Sequence, residues 1–182
     1  MGLYILIAVV AVLAIYVFVT YNSLVKLKLR VDEAFATMDV YLKKRWDLIP
    51  NIVETVKGYA SHEQATLEKV VALRSGAYNN MSTENKLDVN NKITDALSKL
   101  MLVAENYPEL KANENFMDLS NQLVQVEDEI ANSRKYYNGT VRLMNNKVQM
   151  FPSNLVAKMF GFKNMNMFQA DAGERENVKV DL

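Results

Sequence analysis

LYILIAVVAVLAIYVFV, Leu3 to Val19, decides the reading of this chain, because it sets where everything after it operates. No residue from Met1 to Val25 carries a charge. As a helix, Leu3 to Val19 spans roughly 26 Å at ~1.5 Å per residue. Carried on to Leu24, it passes the ~30 Å of a hydrocarbon core. Tyr4 and Tyr21 fall near its two ends, where interfacial aromatic rings belong. The first charges, Lys26, Lys28 and Arg30, follow the run, and no Lys or Arg precedes it. Residues 1–24 therefore read as a single-pass transmembrane anchor in the cell membrane. The positive-inside bias puts the N-terminus outside and the C-terminal domain in the cytoplasm.

Other readings of the stretch fit less well. A secretory signal needs a basic start and small residues at a cleavage site, and Val17 to Thr20 offers no A-x-A pattern. A buried core helix usually keeps one polar edge. Without a cysteine to acylate, a lipoprotein is excluded.

About 150 residues follow the anchor, enough for one domain with a core of its own. Lys+Arg and Asp+Glu balance at 21 each, so no strong overall field favours nucleic acid or an acidic substrate, and no nucleic-acid partner is expected. The absence of Cys removes disulfides, thiolate metal sites and thiol nucleophiles. It does not choose a compartment. A single His leaves no multi-His metal site, and six Gly with three Pro favour long helices over a turn-rich β fold.

Downstream, apolar residues recur at helical spacing. Leu24, Leu27, Val31, Ala34, Met38 and Tyr41 form one stripe. Ile49, Val53, Val56 and Ala60 form a second, continuing towards Leu67, Val70 and Val71, and Val89, Ile93, Leu97, Leu100 and Ala104 form a third. The fourth runs from Phe116 through Leu123, Val126, Ile130, Tyr137, Val141 and Met144 to Phe151 at near-heptad spacing, as in helices packed at a shallow angle. Ser75 to Asn80 reads as a loop, Ser82-Thr83-Glu84 as an N-cap region, and Pro108 as a first-turn proline. A short amphipathic piece, Leu155 to Phe160, stops at Gly161. Pro50 either kinks one long helix or follows a break at which Asp47 caps a new one. The excess stripe of the long fourth helix needs a cover, either the Phe160, Phe162, Met165, Met167 and Phe168 cluster or a second copy of the chain. Residues 169–182 turn polar and read as a disordered tail.

Particular words of the sequence resemble the LemA family. They are Tyr21-Asn22-Ser23-Leu24-Val25, Asp47-Leu48-Ile49-Pro50-Asn51-Ile52-Val53-Glu54, His62-Glu63, Glu105-Asn106-Tyr107-Pro108-Glu109-Leu110, Arg134, Tyr137-Asn138 and Phe151-Pro152-Ser153-Asn154. Phe35 stands where that family usually has Trp, Tyr41 where it tends to have Gln, and Gly139 where an acidic residue is common. The resemblance implies an all-α fold, an N-terminal transmembrane helix followed by an antiparallel four-helix up-and-down bundle over residues 25–168. It implies a bacterial membrane protein with no established biochemical activity, and hints at partnership with other membrane proteins such as a membrane protease.

Few residues suggest chemistry. His62 and Glu63 are adjacent, whereas helical metal pairs sit three or four apart, so a solvated pair is expected. Asp47, Asn51 and Glu54 share one helical face, and Arg134, Asn138 and Asn145 form a comparable row. These rows are expected to meet in a polar network in which Arg134 pairs with Asp47 or Glu54, with a small-ligand or enzymatic site there as the alternative. Lys26, Lys28 and Arg30 lie near enough to the anchor to meet anionic headgroups, while Lys43-Lys44-Arg45 reads as a solvated face. Met159, Met165 and Met167 suit an adaptable binding surface, and Val180-Asp181-Leu182 a strand-adding groove. No catalytic, cofactor-binding or metal-binding residue is assigned. The leading expectation is a non-enzymatic interaction or scaffold protein, held in membrane lipid by its N-terminal helix and docking a protein partner, either another membrane protein or a second copy. A membrane-linked sensor, or an accessory protein of a membrane protease, is the further alternative.

Overall fold

The computed structural model describes residues 1–73 and 78–168, and every regular element among them is helical. In chain order these are α1 (Gly2–Tyr59), α2 (Gln64–Ala72), a 3₁₀ turn (Tyr78–Asn80), α3 (Thr83–Glu105), α4 (Pro108–Lys111), α5 (Glu114–Gln149) and α6 (Ser153–Met159). The expected tail, residues 169–182, and the first half of the Ser75 to Asn80 loop, residues 75–77, lie outside the described residues.

Pro50 sits inside α1 without ending it, so the reading in which Asp47 opens a new helix is corrected. Proline in a helix interior removes one i→i−4 bond and costs ~3 kcal/mol or more. Leu48, Ile49, Ile52, Val53 and Val56 are all buried around it, and that apolar burial offsets the cost. The second stripe is also divided. The chain leaves α1 after Gly58-Tyr59, turns through Ala60 to Glu63, and re-enters helix at Gln64.

Local chemistry explains the other ends. Ser82 caps α3, its hydroxyl accepting from the Asn85 amide at 3.2 Å, with Glu84 in the first turn where the helix dipole favours an acid. Pro108 occupies the first turn of α4, where its missing N–H costs nothing. Asn113 caps α5 by accepting from the Phe116 amide at 3.0 Å. α6 ends in a Schellman motif. The Phe162 amide donates to the Ala157 carbonyl, the Gly161 amide donates to that of Lys158, and Gly161 takes φ +74°, the left-handed conformation that glycine adopts without strain.

The chain divides into two compact units. The first comprises residues 1–37 and 133–167, so it contains the start of α1, the end of α5, and α6. Its interior holds Leu24, Val31 and Ala34 with Tyr137, Val141, Met144, Val156 and Ala157. The Phe35 ring packs edge-on against Tyr137, with centroids 5.9 Å apart. The segment after α6 is tied back to α5. Asn145 exchanges two hydrogen bonds with the backbone of Met165, at 2.8 and 2.9 Å, and the Tyr137 hydroxyl donates to the Asn166 carbonyl at 3.0 Å. This segment thus covers part of the long helix, as its aromatic and methionine content suggests.

The second unit comprises residues 38–132 and 168–182. The later part of α1 supplies Met38, Leu42, Ile49, Ile52 and Val56 to its core, and α3 supplies Leu87, Ile93, Leu97 and Leu100. From α5 come Phe116, Leu123, Val126 and Ile130.

Candidate functional site

Among the described residues the largest fully buried side chain is Arg45, 1% exposed, on α1 in the second unit. Its Nη1 donates to Glu127 Oε1 on α5 at 2.5 Å and to Thr94 Oγ1 on α3 at 2.8 Å. Its Nη2 donates to the Asn90 carbonyl at 2.8 Å and to the Asn90 side-chain oxygen. One guanidinium thus joins three helical segments, while its Nε is buried without a partner. A charge so enclosed is tolerable only when paired and hydrogen-bonded.

This corrects two expectations. Arg45 does not belong to a solvated basic face, although neighbouring Lys44 does. The carboxylates Asp47 and Glu54 are solvent-exposed and form no buried network, since Asp47 pairs with Lys43 one turn earlier at 2.5 Å. Of the second row, Asn145 serves the Met165 backbone, and Arg134 and Asn138 are half-buried. Helical register could have revealed Arg45. It falls on the stripe Met38, Leu42, Arg45, Ile49, Ile52, Val56, with steps of three and four throughout.

Beside it lies a second cluster. The buried Tyr78 hydroxyl donates to Asp39 Oδ1 at 2.6 Å, and Lys86 Nζ donates to Asp39 Oδ2 at 2.6 Å while standing 4.6 Å over the Tyr78 ring. Trp46 packs against the same ring with centroids 5.3 Å apart. Burial, then the hydrogen bond to the Asp39 carboxylate, pushes the Tyr78 phenol well above its ordinary range, which keeps it a donor. Both clusters spend their polar atoms on one another, the pattern of groups that fix helix register. His62 lies exposed in the turn after α1 rather than on a helix. Among the described residues no group of three or more His, Asp or Glu is placed to hold a metal ion.

The first unit has a different character. The start of α1 is long and apolar enough to cross a membrane, and none of that window is buried within the protein. At its C-terminal end the Phe160 ring lies 4.6 Å from that of Tyr21, and Phe162 lies 6.0 Å away. An apolar groove lined by Leu13, Val17, Phe18, Tyr21 and Phe160 runs along this face. The unit carries nine Lys/Arg against two Asp/Glu, and the other unit twelve against nineteen. The neutral total conceals this asymmetry. Residues 131–170 contain no acid at all.

Comparison with known proteins gives these features a family. The chain is 27% identical over 158 residues to a protein LemA of Metamycoplasma hominis, covering 86% of this chain and 72% of that relative. It is 35% identical over 75 residues to magnetosome protein MamQ 2 of Paramagnetospirillum magneticum, and 30% identical over 74 residues to magnetosome protein MamQ of Magnetospirillum gryphiswaldense. Each of these covers 41% of this chain, but only 28% and 27% of the relative. The LemA family model matches residues 34–182, most of the folded chain but none of the apolar stretch. The chain belongs to the LemA family.

Proposed function

We propose that this protein is a single-pass, membrane-anchored helical scaffold that holds its folded part at the membrane to dock a protein partner and carries out no reaction of its own. One observation carries the reading: residues 2–15 of α1 are apolar and exposed on every side of the helix. A water-exposed surface of that size would be strongly unfavourable, whereas a bilayer solvates it. The soluble part is read as an antiparallel four-helix bundle, supported by the apolar stripes on α1, α3 and α5 and by Arg45 bonding across these helices. The cationic first unit, with no Lys or Arg before Lys26, supports an N-terminus outside and a cytoplasmic folded part. The partner is read as another membrane protein or a second copy of the chain.

The test is alkaline carbonate extraction of membranes from cells expressing the full chain. The native protein is expected to remain with the membrane. A charge at the centre of the span costs ~2.5–3.5 kcal/mol of insertion free energy, so Leu13→Arg combined with Val10→Arg is expected to release it. Full extraction of the native chain contradicts the anchor.

A further inference from the structure

The end of the first unit exposes apolar side chains that its fold leaves uncovered. Met150 and Phe151 lie at the turn between α5 and α6, and Leu155 and Met159 follow four residues apart on one face of α6. They are 62, 79, 61 and 62% exposed, while Val156 and Ala157 on the opposite side are buried. Lys158 and Lys163 flank the patch, both exposed. Its position identifies what covers it. Phe160, the residue after α6, touches Tyr21, which stands about 7.5 Å along the helix from Lys26, the first charge. The groove it lines runs on to Leu13, about 12 Å further into the apolar stretch. α6 therefore lies where the spanning helix passes from charged to apolar residues.

We propose that the α5–α6 turn and α6 form a second membrane element, lying in the headgroup layer of the bilayer that α1 crosses. Met150, Phe151, Leu155 and Met159 enter the acyl boundary, and Lys158 and Lys163 meet anionic phosphate headgroups. The inference rests on the anchor reading, and extends it from one helix passing through lipid to a folded surface seated on it. Interfacial helices bury their apolar face about 5–10 Å into this boundary, with cations on the polar side. The surrounding charge agrees, with six Lys/Arg and no acid in residues 131–170.

The cysteine-free sequence permits a direct test. Full chains bearing one cysteine each, Leu155→Cys, Met159→Cys, Leu13→Cys or Ser98→Cys, are labelled with an environment-sensitive fluorophore. They are then reconstituted into phosphatidylcholine–phosphatidylglycerol vesicles. Nitroxide lipids quench at the headgroup boundary or in the mid-chain. Labels at 155 and 159 are expected to be quenched by the boundary nitroxide at least about two-fold more than the label at Ser98, the depth expected of an interfacial helix. The Leu13 label is expected to respond to the mid-chain nitroxide. Unquenched 155 and 159 with a quenched Leu13 overturn the α6 proposal and leave the anchor standing, whereas an unquenched Leu13 overturns the anchor itself. Energy transfer between labelled copies at 155 that persists on lipid dilution assigns the patch to a second copy and overturns the proposal. Quenching at 155 and 159 that weakens in pure phosphatidylcholine supports the headgroup contact, and quenching that is unchanged there removes the role given to Lys158 and Lys163.

Discussion

The two units of this chain handle charge and apolar surface in opposite ways. The first leaves Lys26, Lys28, Arg30, Lys158 and Lys163 exposed beside bare apolar side chains, and carries nine basic residues against two acidic ones. The second is acid-rich and takes the fully buried Arg45 into the middle of its helices. Those five exposed cations are available to an outside surface, whereas Arg45 is used up within the second unit. A net charge of zero for the whole chain describes neither unit.

The sharpest way to break this comparison is to treat the two kinds of cation alike. Arg45→Ala leaves Asn90 and Thr94 facing an empty site beside Glu127, whose carboxylate is 36% exposed and can be hydrated, so the expected cost is that of the lost charged hydrogen bonds, ~2–3 kcal/mol. Lys26→Ala and Lys28→Ala, at exposed positions, are expected to change folding stability by less than about 0.5 kcal/mol. Denaturant unfolding of the detergent-held full chain, followed by circular dichroism, measures both. Equal effects would erase the distinction.

A smaller effect separates the two buried tyrosines. Burial raises the phenol of Tyr137 in the first unit, with Asp32 adding to it, and that of Tyr78 in the second, where Asp39 accepts a hydrogen bond from its hydroxyl. A raised folded-state pKa gives stability that is complete below the unfolded value near 10 and is lost as pH rises above it, at up to ~1.4 kcal/mol per pH unit per group. Stability is therefore expected to fall above about pH 10. Tyr78→Phe is expected to flatten that fall more than Tyr137→Phe, because Tyr137 donates to a neutral carbonyl. A flatter curve for Tyr137→Phe would reverse the assignment.

Membrane contact gives a gentler test still. Lys158→Gln and Lys163→Gln are each expected to weaken attachment to anionic vesicles by ~1 kcal/mol without moving the unfolding midpoint. Because α1 keeps the chain on the vesicle in any case, boundary-nitroxide quenching of the label at position 155 at low and high salt reads the first effect, and thermal unfolding the second. Gly139, inside α5, is the mildest case. An added Cβ meets nothing within 4 Å, so Gly139→Ala is expected to stabilise the chain by up to ~1 kcal/mol, seen as a raised unfolding midpoint.

Much of the fold was legible because helical punctuation is local. Ser82, Pro108 and Gly161 stand where their chemistry predicts. Pro50 was ambiguous because the burial around it, which decides whether a helix tolerates proline, comes from distant parts of the chain. The site was less legible. Lys43-Lys44-Arg45 reads as one solvated run when charge is counted by composition, yet the register of α1 puts Arg45 alone on the buried stripe. Its partners show the same thing from the other side. Asn90 follows Leu87 and precedes Ile93 on the inner face of α3, a polar residue where the spacing calls for an apolar one. Asp47 and Glu54 share a helical face, but a shared face is not shared burial, and this one points to solvent.

The most direct test of membrane spanning uses the absence of cysteine once more. Gly2→Cys and, separately, Ser98→Cys are introduced into the full chain and exposed in intact cells to a membrane-impermeant maleimide. The account predicts that Cys at position 2 is labelled from outside, and that Cys at position 98 is labelled only after the membrane is opened. Labelling of position 98 in intact cells, or of neither position until lysis, would contradict it.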